Sequence, residues 1–238
     1  LEMTRSRFYL GALLLLLAVA SNAYVLRRLL DGLPDIHALE GYTPSLTSRV
    51  FDCKGEVVAE FSIERRALLS LNKIPVDLQN AVIAIEDDRF FDHWGISLRG
   101  IMRSAFANLL AGRVRQGGST ITMQLSRQIF LTRQRKFVRK IREILLAIQI
   151  ERNFSKPEIL QFYLNQVYFG EGAYGVQAAA RIYFGKEVGE LSLADCALLA
   201  GIIQAPRGNS PFAHPEHALR RRGAVLNRMF EAGMIGKT

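Results

Sequence analysis

Glu86 closes an apolar run, Ala81-Val82-Ile83-Ala84-Ile85, and opens a polar turn that continues Asp87-Asp88-Arg89-Phe90-Phe91-Asp92-His93-Trp94-Gly95. A carboxylate at the exit of an apolar helix is partly desolvated, which raises its pKa and fits it for proton transfer. A second stretch runs Gly117-Gly118-Ser119-Thr120-Ile121-Thr122-Met123-Gln124. Two glycines leading into hydroxyl residues at a helix start leave N–H groups at the positive end of the dipole, a setting suited to an anion. No Gly-Lys-Ser/Thr follows, so this is not a nucleotide-binding P-loop. A third stretch places Lys136, Arg139, Lys140 and Glu143 on one helix face at i+3 and i+4 spacing. Each stretch also has a bland reading: a helix end running into a polar turn, an ordinary Gly-Ser-Thr helix start, and a salt-bridged surface stripe of little energetic weight.

The elements that must position these residues are mostly helical. Pro75 and Asp77 open a helix that runs to Glu86, and Ser97 caps a second with Ile101, Ala105 and Leu109 on its apolar face and a stop at Gly112. Ser119 or Thr120 opens a third. A fourth starts near Phe137, with Phe137, Ile141, Ile144/Leu145 and Ile148 as its face. Ser155-Lys156-Pro157-Glu158 is a capping box that starts a fifth helix through Tyr168. Further helices run from Val176 to Phe184, from Ser192 towards Ala205-Pro206, and from His217 to Ala232. No βαβ alternation and no internal repeat is present, so the fold class is mainly α.

Composition bounds the partners. The 238 residues carry a net charge of +9, and between Arg99 and Arg142 there are eleven Lys/Arg and no Asp or Glu. That excess points to nucleic acid, anionic lipid head groups or a phosphorylated substrate. Phe8–Leu26 is free of charge and, as a helix, reaches about 28 Å, close to the thickness of a bilayer's hydrocarbon core. It reads as a transmembrane anchor or as a cleaved signal peptide with Ala18-Val19-Ala20 at the cut; apolar character through to Leu26 and the stop at Arg27-Arg28 favour the anchor. Leu1-Glu2 ahead of Met3 reads as a cloning remnant. Residues 31–73 form a linker with a hairpin signal around Asp52-Cys53-Lys54-Gly55, and residues 74–238 form the helical domain, after an anchor at 1–30. Cys53 and Cys196 have no metal or redox spacing, and a disulfide between them is not decided by sequence.

Five motifs in order resemble those of the peptidoglycan glycosyltransferases, the polymerase domains of class A penicillin-binding proteins and of monofunctional transglycosylases. They are Glu86, Phe90, His93 and Gly95; Gly117-Gly118-Ser119-Thr120-Ile121-Thr122 with Gln124; Arg139-Lys140 with Glu143; Lys156, Glu158, Ile159, Leu160, Tyr163, Leu164 and Asn165; and Arg221-Arg222 with Val225-Leu226. Met123 stands where the family carries another glutamine, and Arg127 where a lysine is common. The hairpin around Asp52–Gly55 resembles the segment ahead of the polymerase domain in the bifunctional proteins, so the natural protein is expected to continue past Thr238.

The resemblance implies a lysozyme-like domain with a smaller membrane-proximal lobe. It implies polymerisation of lipid II into β-1,4 glycan strands with inversion and release of undecaprenyl pyrophosphate, on the extracytoplasmic face of the inner membrane. Glu86 becomes the general base and Glu143 the second acid. Ser119, Thr120, Gln124, Arg127, Arg135, Lys140 and His93 become substrate-binding residues, and a divalent cation (Mg or Mn) near Glu143 shares the pyrophosphate charge. No organic cofactor and no nucleic acid are implied; the growing strand, the membrane, a transpeptidase domain and other cell-wall synthesis proteins are. The segments Phe106–Arg115 and Ile129–Lys136 are expected to dip into the membrane interface. Rival classes are a lysozyme-like hydrolase, which needs no pyrophosphate clamp, a non-catalytic membrane scaffold, and a nucleic-acid binder without a recognised module.

Overall fold

The computed structural model describes residues 69–111, 117–131 and 136–236, together with 33–39, 48–51, 57–61 and single positions between 16 and 27. The chain divides into two compact units, Leu1–Asp35 and Ile36–Thr238. In the first, Leu16, Leu17, Val19, Ala20, Ser21, Tyr24 and Arg27 are helical. The expected span Phe8–Leu26 lies largely outside the described residues, among which no helix is long and apolar enough to cross a membrane.

The second unit begins with a short 3-10 turn, Ile36–Leu39, and then an antiparallel pair, β1 (Ser48–Phe51) and β2 (Val57–Phe61), in which Val50 faces Ala59 and the register slips between Val50 and Phe51. This is where the hairpin is expected; its turn and Cys53 lie outside the described residues. Among the described residues eight α-helices follow: α1 (Val76–Glu86), α2 (Leu98–Ala111), α3 (Ile121–Phe130), α4 (Lys136–Asn153), α5 (Lys156–Gln166), α6 (Val176–Phe184), α7 (Leu193–Ile202) and α8 (Pro215–Glu231). The described part of this unit is therefore mainly α. Helices α1, α7 and α8 pack against one another, as α3 packs on α4 and α5. Leu78, Ala81 and Val82 of α1 are fully buried, as are Ile121, Met123 and Leu125 of α3 and Cys196 of α7.

Local signals account for the helix ends. Glu158 accepts hydrogen bonds from the Ser155 backbone N–H at 2.8 Å and from its hydroxyl at 2.6 Å. The Ser97 hydroxyl accepts from the Gly100 N–H at 3.1 Å, and Thr120 caps α3 by accepting from the Met123 N–H at 3.2 Å. Met123 itself is fully buried, so an apolar side chain suits its position.

Three elements depart from expectation. The helix expected through Tyr168 ends at Gln166, because Val167 turns to φ −59°, ψ 137°. Tyr168 instead begins β3 (Tyr168–Gly170), which pairs with β4 (Ala173–Tyr174). On α4 the buried face is Glu143, Leu146, Ala147 and Ile150, while Ile141, Ile144, Leu145 and Ile148 are half-buried. An acid belongs to the buried stripe, and that disguises it from a hydrophobic pattern. On α2 the large apolar residues face outward: Leu98, Met102 (73% exposed), Phe106 and Leu109 (79%). The backbone at Gly118 crosses close against this helix at Gly100, Ile101 and Ser104. A Cβ on Gly118 would lie 2.7 Å from Ser104 Oγ and 2.9 Å from Ile101 Cα. Gly118→Ala is expected to cost about 1–3 kcal/mol in a thermal melt; an unchanged melting temperature would contradict that crossing.

Candidate active site

Helix α1 stops at Glu86, where Asp87 leaves helical geometry (φ −159°, ψ 77°) while its N–H still bonds to the Ile83 carbonyl at 2.9 Å. The break sends two consecutive carboxylates to different tasks. Glu86 Oε2 accepts a hydrogen bond from Gln124 Nε2 at 2.8 Å, and Gln124 Oε1 accepts one from the Tyr163 hydroxyl at 3.1 Å. Asp87, only 7% exposed, turns inward. Its Oδ2 accepts from the Ile121 N–H at 3.0 Å and lies 2.9 Å from His93 Nε2. A carboxylate on the first N–H of α3 is also where the helix dipole favours it.

His93 is turned into the protein. Its Nε2 meets Asp87, and its Nδ1 accepts from the Gly95 N–H at 3.1 Å, so both ring nitrogens are committed inside the protein. Thr120 is likewise turned inward, donating to the Gly95 carbonyl at 2.7 Å. Together Asp87, His93, Gly95 and Thr120 lock the turn after α1 to the start of α3. Gly95 sits at φ +97°, and a Cβ there would lie 2.9 Å from the Ala147 carbonyl oxygen.

Glu86 faces a cleft of about 660 Å³, which Ser119, Gln124 and Arg127 also line, with Arg103 from α2 and Arg221 and Arg228 from α8. Burial pushes the Glu86 carboxyl above the ordinary glutamate range; the Gln124 hydrogen bond, then Arg221 and Arg127, pull it back in part. Burial works against the charge of Arg221, and Glu86 works for it. Arg221 Nε is buried without a hydrogen-bond partner from the described residues. In sequence Arg221 is part of a family motif or a basic helix face. The signal for its role is three-dimensional: α8 packs on α1 and brings it opposite Glu86.

The second acid, Glu143, is 2% exposed. Its Oε2 lies 3.1 Å from Lys140 Nζ and its Oε1 3.4 Å from Arg139 Nε. Lys140 also donates to Ser119 Oγ at 2.7 Å, so Glu143 reaches the start of α3 through Lys140. The structure thus brings together Glu86, Ser119, Gln124 and Arg127 on the cleft, with Lys140 and Glu143 behind Ser119; Arg135 lies outside the described residues. As a resident metal site this donor set fits poorly. Both Glu143 oxygens face cations, and among the described residues no three His, Cys, Asp or Glu side chains converge.

Residues 54–230 match the Transglycosylase family. Penicillin-binding protein 1A of Aquifex aeolicus is 49% identical over 227 residues, covering 95% of this chain and 30% of that protein. The Neisseria flavescens protein of the same name is 42% identical over 203 residues, covering 85% of this chain and 25% of that one. The chain therefore spans under a third of the length of these curated relatives. The crystal structure of penicillin-binding protein 1A from Haemophilus influenzae aligns over 82% of this chain and 20% of that one, with 24% identity and a TM-score of 0.48, too distant to bear on the fold. By its family match over most of its length, the chain belongs to the transglycosylase family.

Proposed function

We propose that this domain polymerises lipid II into β-1,4 glycan strands with inversion, releasing undecaprenyl pyrophosphate in bacterial cell-wall synthesis. The observation that carries the reading is one buried carboxylate, Glu86, set opposite arginines in a cleft. The base must remove a proton from the attacking 4-hydroxyl, and a carboxylate whose pKa is raised by burial suits that task. Charge then builds on the leaving pyrophosphate. Arg127 and Arg221 line the space where it would sit. Lys140, with Arg135, extends the clamp. Glu143 acts through Lys140, holding that ammonium against Ser119. His93 and Thr120 hold the frame rather than the substrate, and Gln124 holds the base. Inversion needs no covalent sugar–enzyme intermediate.

Both substrates are membrane-bound, and the α2 stripe offers the surface that meets them. Leu98, Met102, Phe106 and Leu109 point outward, while Arg103 and Ala107 of the same helix line the cleft. This helix is the core of the membrane-proximal lobe, apolar side down. Replacing Met102, Phe106 and Leu109 together by serine is expected to weaken binding to anionic vesicles about a hundredfold. Unchanged sedimentation with vesicles would remove the stripe from the interface. An anchor at Phe8–Leu26, an extracytoplasmic site on the inner membrane, a transpeptidase domain and cell-wall synthesis partners complete the proposal. The relatives bear a name for binding penicillin and are more than three times as long.

The test is incubation of the detergent-solubilised protein with labelled lipid II, comparing wild type and Glu86→Gln by product length. Long strands from the wild type alone support the reading. Fragments from finished wall, with no polymer from lipid II, would make the protein a hydrolase instead.

A further inference from the structure

The motif on α5 divides its labour. Asn165 Oδ1 accepts from the Leu69 N–H at 2.8 Å while its Nδ2 donates to the Leu69 carbonyl at 2.8 Å, and Gln161 Oε1 accepts from the Leu71 N–H at 2.8 Å. These two residues staple the segment that leads into α1. Tyr163 does something else. It is fully buried, and its hydroxyl reaches past the core to Gln124 Oε1 at 3.1 Å.

We propose that Tyr163 is a positioning residue for the reaction: its hydroxyl fixes the Gln124 amide so that Nε2, not Oε1, is turned towards Glu86. The inference rests on the reading of Glu86 as the base. The two ends of a carboxamide are nearly equal in size and opposite in hydrogen-bonding character. Turned one way, Gln124 donates to the carboxylate; turned the other, it sets an oxygen against an oxygen. A donor at the far end selects the first orientation, and polarises the amide so that its N–H is the stronger donor. Tyr163 stays protonated for this purpose, since burial, and after it the nearby Glu86 charge, hold its phenol well above the ordinary range. An apolar ring alone would fill the same volume and leave Gln124 Oε1 buried without this partner.

The charged and titratable groups facing Glu86 are Asp87 beside it, Arg127 from α3, Tyr163 from α5 and Arg221 from α8, with Arg103 and Arg228 across the cleft. The segment after α7 adds only Ile203 and Gln204. Of these groups Tyr163 alone acts on the orientation of the Gln124 amide.

The experiment is a titration of Glu86 by carboxyl NMR in protein labelled with [13C]glutamate, its signal assigned by its loss in Glu86→Gln. In Tyr163→Phe the midpoint is expected to rise by about half a pH unit, and in Gln124→Met by about one. In the double variant Tyr163→Phe adds nothing further. The acid limb of the polymerisation rate moves up in step with the midpoint. An unchanged midpoint in Tyr163→Phe overturns the proposal, and so does an equal rise from Tyr163→Phe with Gln124 already replaced. If Tyr163→Phe fails to fold, labelling the wild type with 3-fluorotyrosine makes the hydroxyl a stronger donor. The midpoint is then expected to fall, and a static one overturns the proposal. Retained polymerisation by Glu86→Gln would instead sink the base assignment and leave the titration result standing.

Discussion

Glu86→Gln is expected to lower the rate of glycan polymerisation about a thousandfold and, at neutral pH, to raise the melting temperature by a few degrees. The two effects have one cause. The amide keeps the shape of the carboxyl and an oxygen for Gln124 Nε2, but it takes no proton from the attacking hydroxyl. Burial raises the folded-state pKa of Glu86. Below the unfolded pKa, about 4.3 for glutamate, the group is protonated in both states and its burial is tolerated. As pH climbs from there through the raised folded value, stability is lost. Glutamine has no such loss, so the melting curves should separate above about pH 5 and converge near pH 4. Calorimetry across that window, with lipid II turnover at pH 7, checks both halves. A variant that polymerises normally would remove Glu86 as the base. One that is inactive but melts below the wild type at neutral pH would show that the arginines around Glu86 outweigh its burial.

Gly95→Ala is expected to cost about 3 kcal/mol or more and to reduce turnover beyond what the lost stability explains. At φ +97° an alanine is strained, and its methyl group would stand 2.9 Å from the Ala147 carbonyl oxygen and 3.1 Å from its carbon, both backbone atoms that cannot swing aside. Relief requires Gly95 to move away from α4. Its carbonyl accepts the Thr120 hydroxyl, and its N–H donates to the His93 ring that braces Asp87. The displacement is therefore passed to the start of α3 and on to Gln124. Gly189→Ala is the matching control, since a Cβ there meets nothing within 4 Å and the residue lies outside the cleft. Denaturant melts and turnover of the two variants should diverge; equal, small effects would mean the lock is slack.

The parts of this site that were legible in the chain are those encoded locally. The apolar run ending at Glu86 marks both the helix and the acid, and Ser155 with Glu158 marks the start of α5 to the residue. Thr120 follows two glycines and caps α3 as its type suggests. What was not legible depends on which residues meet across the fold. His93 looks like a ligand in sequence, yet Asp87 and Gly95 absorb both its nitrogens. Arg221 comes from the far end of the chain, and only the packing of α8 on α1 brings it to Glu86. On α4 a buried acid interrupts the apolar stripe, so periodicity selects the wrong face. On α2 the rule that large apolar residues point inward fails at Leu98, Met102, Phe106 and Leu109, and the close approach of Gly118 to Ile101 and Ser104 is set by packing that no local pattern displays.

The cleft's volume, about 660 Å³, falls within the range of pockets that hold drug-sized molecules. That is room for a pyrophosphate and a sugar ring or two. A strand of many sugars, with its peptides and its lipid, must lie almost wholly outside. Such a site handles the junction between one sugar and the next and is blind to everything further along. On the proposed reading, changes to the surfaces beyond the cleft are expected to alter polymer length more than the rate of each addition, which product-length analysis beside initial rates would check.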